Sequence, residues 1–235
     1  MAQFRHFGLR AEISEHHCRD CAPAHRHRDA YAAIVLEGAY WETSADGPVL
    51  VGAGDIVVHP PFHQHRNRFR ENRTRVLNIA LPFLGALEAG YRVAGDIDTS
   101  QIAALLDGKP DEAAAQLLDC VSSRARRDNR ALTRLDYAAQ ALREDPSIAI
   151  AALARRTGYT HAHFTRAFAE RYGAPPAAFR AEHRFRAALR RVLDSVPLAE
   201  AADRSGYSDQ AHMTRDFQRR AGVSPAALRR ETGAA

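Results

Sequence analysis

The 235-residue chain says nearly the same thing twice, and any fold it adopts has to accommodate both copies. "GYTHAHFTRAFAERYGAPPAAFRAE" begins at Gly158 and "GYSDQAHMTRDFQRRAGVSPAALRR" at Gly206. Gly158 and Gly206 are 48 apart, whereas Phe168 and Phe217, Gly173 and Gly222, Pro176 and Pro225, and Arg180 and Arg229 are each 49 apart. The copies thus differ by one residue, which the spacing puts at the start of the second long helix. A repeat of this kind means one supersecondary unit used twice. Each copy reads as a short helix ("IAIAALARRTG", "PLAEAADRSG"), a turn at Gly-Tyr, a polar capping residue (Thr160 in one, Ser208 or Asp209 in the other) and a second helix. The four-residue spacing of Phe164 with Phe168, and of Met213 with Phe217, assigns one face of that helix to the core and turns Arg166 and Arg215 to the opposite side. A helical bundle with solvated arginines would reproduce the apolar spacing but has no need of the same turn glycine, cap, outward Arg, closing Gly and following Pro in both copies.

Charge separates the two halves. Residues 130–235 hold 18 Arg against 11 Asp plus Glu, while residues 1–129 hold 15 Lys plus Arg against 17 acids. Positive charge gathered in one half suits a polyanionic partner for that half alone. Three cysteines, Cys18, Cys21 and Cys120, are an odd and sparse set, which argues against a disulfide scaffold. Cys120, within "AAAQLLDCVSSR", reads as a buried helix residue. "MAQFRHFGLRAEIS" carries charges where a signal peptide needs an apolar run, and no apolar segment has the length of a membrane span, so a cytoplasmic protein without membrane contact is expected.

Before the repeat, residues 3–83 alternate short strand-like runs, "YAAIVLEGAYWET", "PVLVGAGDIVVHP" and "RVLNIALPF", with turn signals such as "ADGP", the pattern of a small antiparallel barrel or sandwich. From residue 99 the character changes to amphipathic helix: "TSQIAALLDG", "DEAAAQLLDCVSSRARR" and "ALTRLDYAAQALRED", with breaks at Lys109-Pro110 and Asp145-Pro146. The expected organisation is a sensing domain over 1–95, a helical linker and dimerisation segment over 96–129, and a DNA-binding domain over 130–235.

Residues 130–231 resemble the AraC/XylS family of bacterial transcription regulators, and "GYSDQAHMTRDFQRRAGVSP" is close to that family's signature. The resemblance implies two helix-turn-helix units joined by one helix, here Pro176 to Leu193, each setting a reading helix in the major groove of double-stranded promoter DNA. Eighteen residues at 1.5 Å each span roughly 27 Å, comparable to the ~34 Å between successive major grooves. Carried over position by position, the groove-facing residues are His161, Ala162, Thr165 and Arg166 in the first unit and Gln210, Ala211, His212 and Arg215 in the second. Arg suits guanine and Gln adenine, each in bidentate fashion. His163 reads either as a further groove residue or as one packed inward.

Eight of the twelve histidines lie between residues 6 and 65. In "CRDCAPAHRHRDAY" and "HPPFHQHRN", period-two spacing sets His25, His27 and Asp29 on one face, as it does His63 and His65. Imidazoles with a carboxylate suit Zn, Fe, Ni or Cu. This half resembles a cupin, so the fold class expected for the whole chain is α+β: a cupin-like β-barrel followed by an all-α domain with two helix-turn-helix units. The resemblance implies His25, His27 and His65 as metal ligands. Tyr31 stands where that family carries a glutamate, which leaves Asp29 or His63 to supply the missing ligand, or the barrel to take an organic effector without metal. Cys18 and Cys21 read either as ligands of a thiophilic metal, helped by His16 and His17, or as thiols of a mobile arm.

The function expected is a sequence-specific transcription regulator, not an enzyme, that answers to a small molecule or a metal, pairs as a homodimer through residues 96–126 and contacts RNA polymerase if it activates. A cupin-type metalloenzyme of the non-haem dioxygenase kind and a metal-homeostasis sensor are the alternatives.

Overall fold

A computed structural model of the chain describes residues 11–18, 20–70, 73–83, 87, 90–95, 117–122, 132–145 and 148–233. Its contacts divide the chain into two compact units, one up to residue 129 and one from residue 130.

The first unit is antiparallel β. One sheet has the order β1-β8-β3-β6-β9 and the other the order β2-β7-β4-β5. Their strands are β1 (Ala11–His16), β2 (Cys21–Arg26), β3 (Tyr31–Glu37), β4 (Ala39–Ser44), β5 (Gly47–Gly52), β6 (Ile56–His59), β7 (Gln64–Phe69), β8 (Thr74–Ala80) and β9 (Arg92–Ala94). The alternation of β4 sends Tyr40, Glu42 and Ser44 inward, as that of β7 sends His65 and Phe69. Tyr40 and Phe69 meet Ala33, Val35, Val57 and Val76 of the five-stranded sheet to form the barrel core. In β3 the run Ala32–Val35 is buried throughout, because the five-stranded sheet is covered on both faces. Its outer face, Ala32, Ile34, Ile56, Val58, Leu77 and Ile79, packs against Leu117 and Val121 of a helical stretch at 117–122, with Cys120 partly buried beside them.

That contact alters one sequence expectation. The apolar stripe of "AAAQLLDCV" was assigned to a partner subunit, but Leu117 and Val121 are 3% and 1% exposed because the chain's own barrel takes them up. The helix expected in "TSQIAALLDG", most of the 96–129 segment and the Lys109-Pro110 break lie outside the described residues.

The second unit is helical: α1 (Arg134–Glu144), α2 (Ile150–Arg156), α3 (His161–Tyr172), α4 (Pro176–Leu193), α5 (Leu198–Arg204), α6 (Gln210–Ala221) and α7 (Pro225–Glu231). α1 opens on a capping box in which Thr133 and Asp136 satisfy each other's backbone N–H. The Thr160 side chain accepts from the N–H of His163, and Asp209, not Ser208, plays that part for His212. α3 and α6 are both 12 residues long, so the extra residue of the second copy lies in the turn before α6 and not within the helix. α4 joins the copies by its aromatic face: Phe179 meets Phe168 edge-on at 5.1 Å and Phe185 meets Phe217 edge-on at 5.0 Å. All four rings are essentially fully buried, each contributing on the order of 1.5–3 kcal/mol of transfer free energy. No helix among the described residues is long and apolar enough to cross a membrane.

Candidate functional site

In the helical unit the two reading helices present equivalent surfaces. His161, Ala162 and Arg166 are exposed on α3, and Gln210, Ala211 and Arg215, each 49 positions on, are exposed on α6. Thr165 is half-buried, and its hydroxyl donates to the His161 carbonyl at 2.9 Å, which ties it to its own helix. Thr214 does the same to Gln210. His163 and His212, also 49 apart, pack edge-on against the turn tyrosines Tyr159 and Tyr207 at 4.8 and 5.1 Å. His163 nevertheless stays exposed, while His212 is half-buried and its Nδ1 lies 3.2 Å from the Ser208 hydroxyl. Of the eight residues expected at the groove, Thr165 and His212 are therefore partly engaged by their own unit.

The repeated arginines at 180 and 229 are struts. Arg229 donates to the carbonyls of Val192 and Val196 at 2.8 and 2.6 Å, and Arg180 donates to that of Ile148 at 3.4 Å. Carboxylates brace the reading helices from behind. Asp136 of α1 accepts from Arg171 and Tyr172 of α3 at 2.8 and 2.6 Å. Asp216 accepts from Tyr207 at 2.8 Å and from Arg220, which also reaches Glu182 of α4 at 2.8 Å.

In the β unit, a cavity of about 590 Å³ opens between the sheets, its wall formed by His25, His27, Tyr31, His65 and Phe69 together with small apolar residues and polar ones that include Glu12, Asp29 and Asn67. That volume accommodates a small organic molecule. Nitrogens of His25, His27 and His65 lie within 4.8 Å of one another, so three of the expected ligands do converge. The Nδ1–H of His25 donates to the Pro23 carbonyl at 2.7 Å, which leaves Nε2 as the lone-pair nitrogen. Tyr31, at the position of the absent glutamate, has its hydroxyl 3.0 Å from Nε2 of His65. Burial raises the Tyr31 hydroxyl pKa far above its usual value, so this group is a neutral donor rather than an anionic ligand. Asp29 stands outside the group: β2 ends at Arg26 and a bend follows, so the two-residue alternation does not extend that far. The donor set at this position is three imidazoles without a carboxylate, which fits a borderline divalent metal but supplies it no charge compensation.

Deeper in the barrel lies a second group that the sequence reading did not assemble. His59, His63 and His65 also bring nitrogens within 4.8 Å of one another, and all three rings are buried. Nδ1 of His59 lies 3.3 Å from Nδ1 of His63. On the outer sides of these rings, Nε2 of His63 meets Asp46 Oδ2 at 3.1 Å, and Nε2 of His59 faces Glu42 Oε2 at 3.5 Å. Glu42 is completely buried, and neither of its oxygens makes a hydrogen bond of ordinary geometry. Burial pushes its carboxyl up to about 8, and it holds the imidazole of His59 well below its usual range and that of His65 down to about 3. These rings are neutral. Of this group the sequence offers His65 as an expected ligand and His63 as a substitute one, and only His59 goes unassigned. The legible signal was a histidine ending the apolar strand "IVVH".

Cys18, on the turn after β1, and Cys21, the first residue of β2, are exposed free thiols and belong to neither histidine group.

Comparison with known proteins assigns the helical unit. Residues 153–231 match the family model described as a helix-turn-helix domain. The chain is 33% identical over 76 residues to a gentisate 1,2-dioxygenase of a Streptomyces species, a match that spans 31% of the chain and about a fifth (21%) of that curated relative. Among solved structures, it is similar to ToxT from Vibrio cholerae O395, with 8% identity, TM-score 0.44, and coverage of 96% of this chain and 100% of that one. It is also similar to the C-terminal domain of AraT, a response regulator from Geobacillus stearothermophilus (21% identity, TM-score 0.40, 44% of this chain and 88% of that one), and to a cupin-2 domain protein from Shewanella frigidimarina (20% identity, TM-score 0.28, 31% and 69%).

Proposed function

We propose that the chain is a sequence-specific DNA-binding transcription regulator whose cupin-like barrel receives a small effector. The observation that carries this reading is the pair of equivalent exposed residues, His161 and Arg166 against Gln210 and Arg215, on two helices braced in the same way and joined by an 18-residue helix. One chain then offers two reading helices to two successive major grooves, with arginine supplying base and phosphate contacts. The effector occupies the cavity beside His25, His27 and His65, either as an organic molecule or as Zn, Ni, Fe or Cu on those imidazoles. Pairing of two copies through residues 96–126 and a contact with RNA polymerase belong to the same reading. A mobility shift with the promoter region upstream of the protein's own gene tests it: a sequence-specific complex that resists competitor DNA is expected, and binding indifferent to sequence overturns it. Loss of effector response in His25→Ala/His27→Ala, with DNA binding retained, is the corresponding test of the cavity.

A second reading, a cupin dioxygenase, is favoured by the 76-residue likeness to a gentisate 1,2-dioxygenase. Tyr31 in place of an acidic ligand speaks against it, as does the helix-turn-helix half, for which such an enzyme has no use. Oxygen uptake by the iron-loaded protein with gentisate as substrate decides between them, and none is expected.

A further inference from the structure

We propose that the barrel holds a divalent transition-metal ion at its inner histidine group, between Nδ1 of His59 and Nδ1 of His63, with His65 completing the imidazoles and Glu42 and Asp46 backing them. The site is distinct from the His25, His27 and His65 position at the cavity wall, and it does not rest on the DNA-binding reading.

Four observations carry it. First, the two Nδ1 atoms face each other at 3.3 Å. In a tetrahedral site with metal–nitrogen bonds of 2.0–2.1 Å, ligand nitrogens stand about 3.3–3.4 Å apart, so the spacing of these two nitrogens matches that of two ligands on one ion. Second, the outer nitrogens meet carboxylates, Asp46 on His63 and Glu42 on His59. A carboxylate accepting the Nε2–H fixes the tautomer that turns the Nδ1 lone pair inward, the usual support behind a metal-bound imidazole. With the proton on Nε2 of both rings, both Nδ1 atoms present lone pairs, and a cation shared by them converts a repulsion into coordination. Third, Glu42 is a carboxyl with no exposed surface, and its 3.5 Å approach to Nε2 of His59 is long for a hydrogen bond. Buried polar groups are normally satisfied, and Glu42 with Asp46 sets two acidic groups behind the imidazoles, where a dication in a low-dielectric core needs compensating charge. Fourth, the turn that brings His63 beside His59 is held in an unfavourable form. Phe62 has φ +57° although it is not glycine, and it is clamped by its N–H donating to the His27 carbonyl and by Arg26 donating to its own carbonyl, both at 2.9 Å. A ring of imidazoles with two carboxylates and no thiolate suits Zn, Co or Ni.

The test is a titration of the full chain, stripped of metal, with Co(II) as the probe, followed by its visible absorption and by the rise in melting temperature that binding to the folded state produces. The wild-type protein is expected to take up Co(II) with the spectrum of a nitrogen- and oxygen-ligated ion. Asp46→Asn, at a partly exposed position where the fold is least at risk, should weaken uptake at least tenfold by releasing the His63 tautomer. His63→Gln should do so by removing a ligand. Absence of Co(II) uptake by the wild type, or wild-type affinity in both variants, overturns the proposal. His25→Gln/His27→Gln is measured alongside: whichever way that variant behaves, it reports on the outer position, so the two readings fail separately.

Discussion

The Tyr31 hydroxyl lies 3.0 Å from Nε2 of His65, while Nδ1 of the same ring faces the His63 carbonyl at 3.4 Å. With Nδ1 donating to a carbonyl, Nε2 carries the lone pair and the tyrosine is its donor. One residue thus links the two histidine groups, and an ion at either position has to displace one of these two contacts to take up a nitrogen of His65.

Tyr31→Phe should destabilise the barrel by about 1 kcal/mol, since a buried acceptor loses its donor, as measured by urea unfolding. Tyr31→Glu, which places an acidic ligand beside His25, His27 and His65, should raise Fe(II) or Ni(II) affinity roughly tenfold or more, read by calorimetry. Equal affinity in the wild type and the Glu variant would show that these imidazoles do not act as a ligand set.

The helical unit should lose stability in acid because of Asp136. Burial alone would raise that carboxyl, but hydrogen bonds from Tyr172, Thr133 and Arg171 outweigh it and hold the group well below the usual carboxylate range. A folded-state pKa below the unfolded one means that the unfolded chain binds the extra proton first. Its stabilisation is complete above the unfolded value near 3.9 and declines as pH falls below it. Asp136→Asn should cost about 2 kcal/mol at pH 7 and flatten the stability profile below pH 4. Unfolding followed by circular dichroism across that range checks it, and an unchanged slope in the variant would contradict the assignment.

Two glycines with positive φ should respond unequally to alanine. At Gly206 (φ +77°) a Cβ would meet open space, so the cost is the left-handed backbone alone, about 1–2 kcal/mol. At Gly38 (φ +79°) a Cβ would stand 2.4 Å from the Arg73 carbonyl oxygen and 2.7 Å from Thr74 Oγ1, so the β3–β4 turn has to move away from β8. Gly38→Ala should therefore exceed Gly206→Ala by more than about 1 kcal/mol in thermal unfolding.

The repeated arginines divide by role. Arg229→Ala removes two hydrogen bonds to the carbonyls of Val192 and Val196 and should cost about 2 kcal/mol of stability while leaving base preference intact. Arg215→Ala, exposed on α6, should do the reverse.

The tandem architecture could be read from the sequence because its signals are local: a cap, a turn glycine and a four-residue apolar spacing, reproduced 49 positions on. Strand alternation likewise revealed the barrel, and the paired His25 and His27 stood out by spacing alone. What escaped depends on contacts remote in sequence. Glu42 on β4 and His59 on β6 belong to opposite sheets and meet only when the barrel closes. Asp29 looked like a ligand because the alternation of β2 was extended past Arg26, where the strand has already ended. Leu117 and Val121 form an apolar stripe whatever covers it, and only the fold shows that the outer face of the five-stranded sheet does so.

The most direct test of the account is a binding-site selection from random duplex DNA with the wild-type protein, Arg166→Ala and Arg215→Ala. Two blocks of preferred bases, centred about 10–10.5 base pairs apart, are expected for the wild type. Each variant should lose preference at one position within a different block, at about 1–3 kcal/mol of affinity. Selection of no consensus by the wild type, or of the same two blocks at the same affinity by both variants, would contradict it.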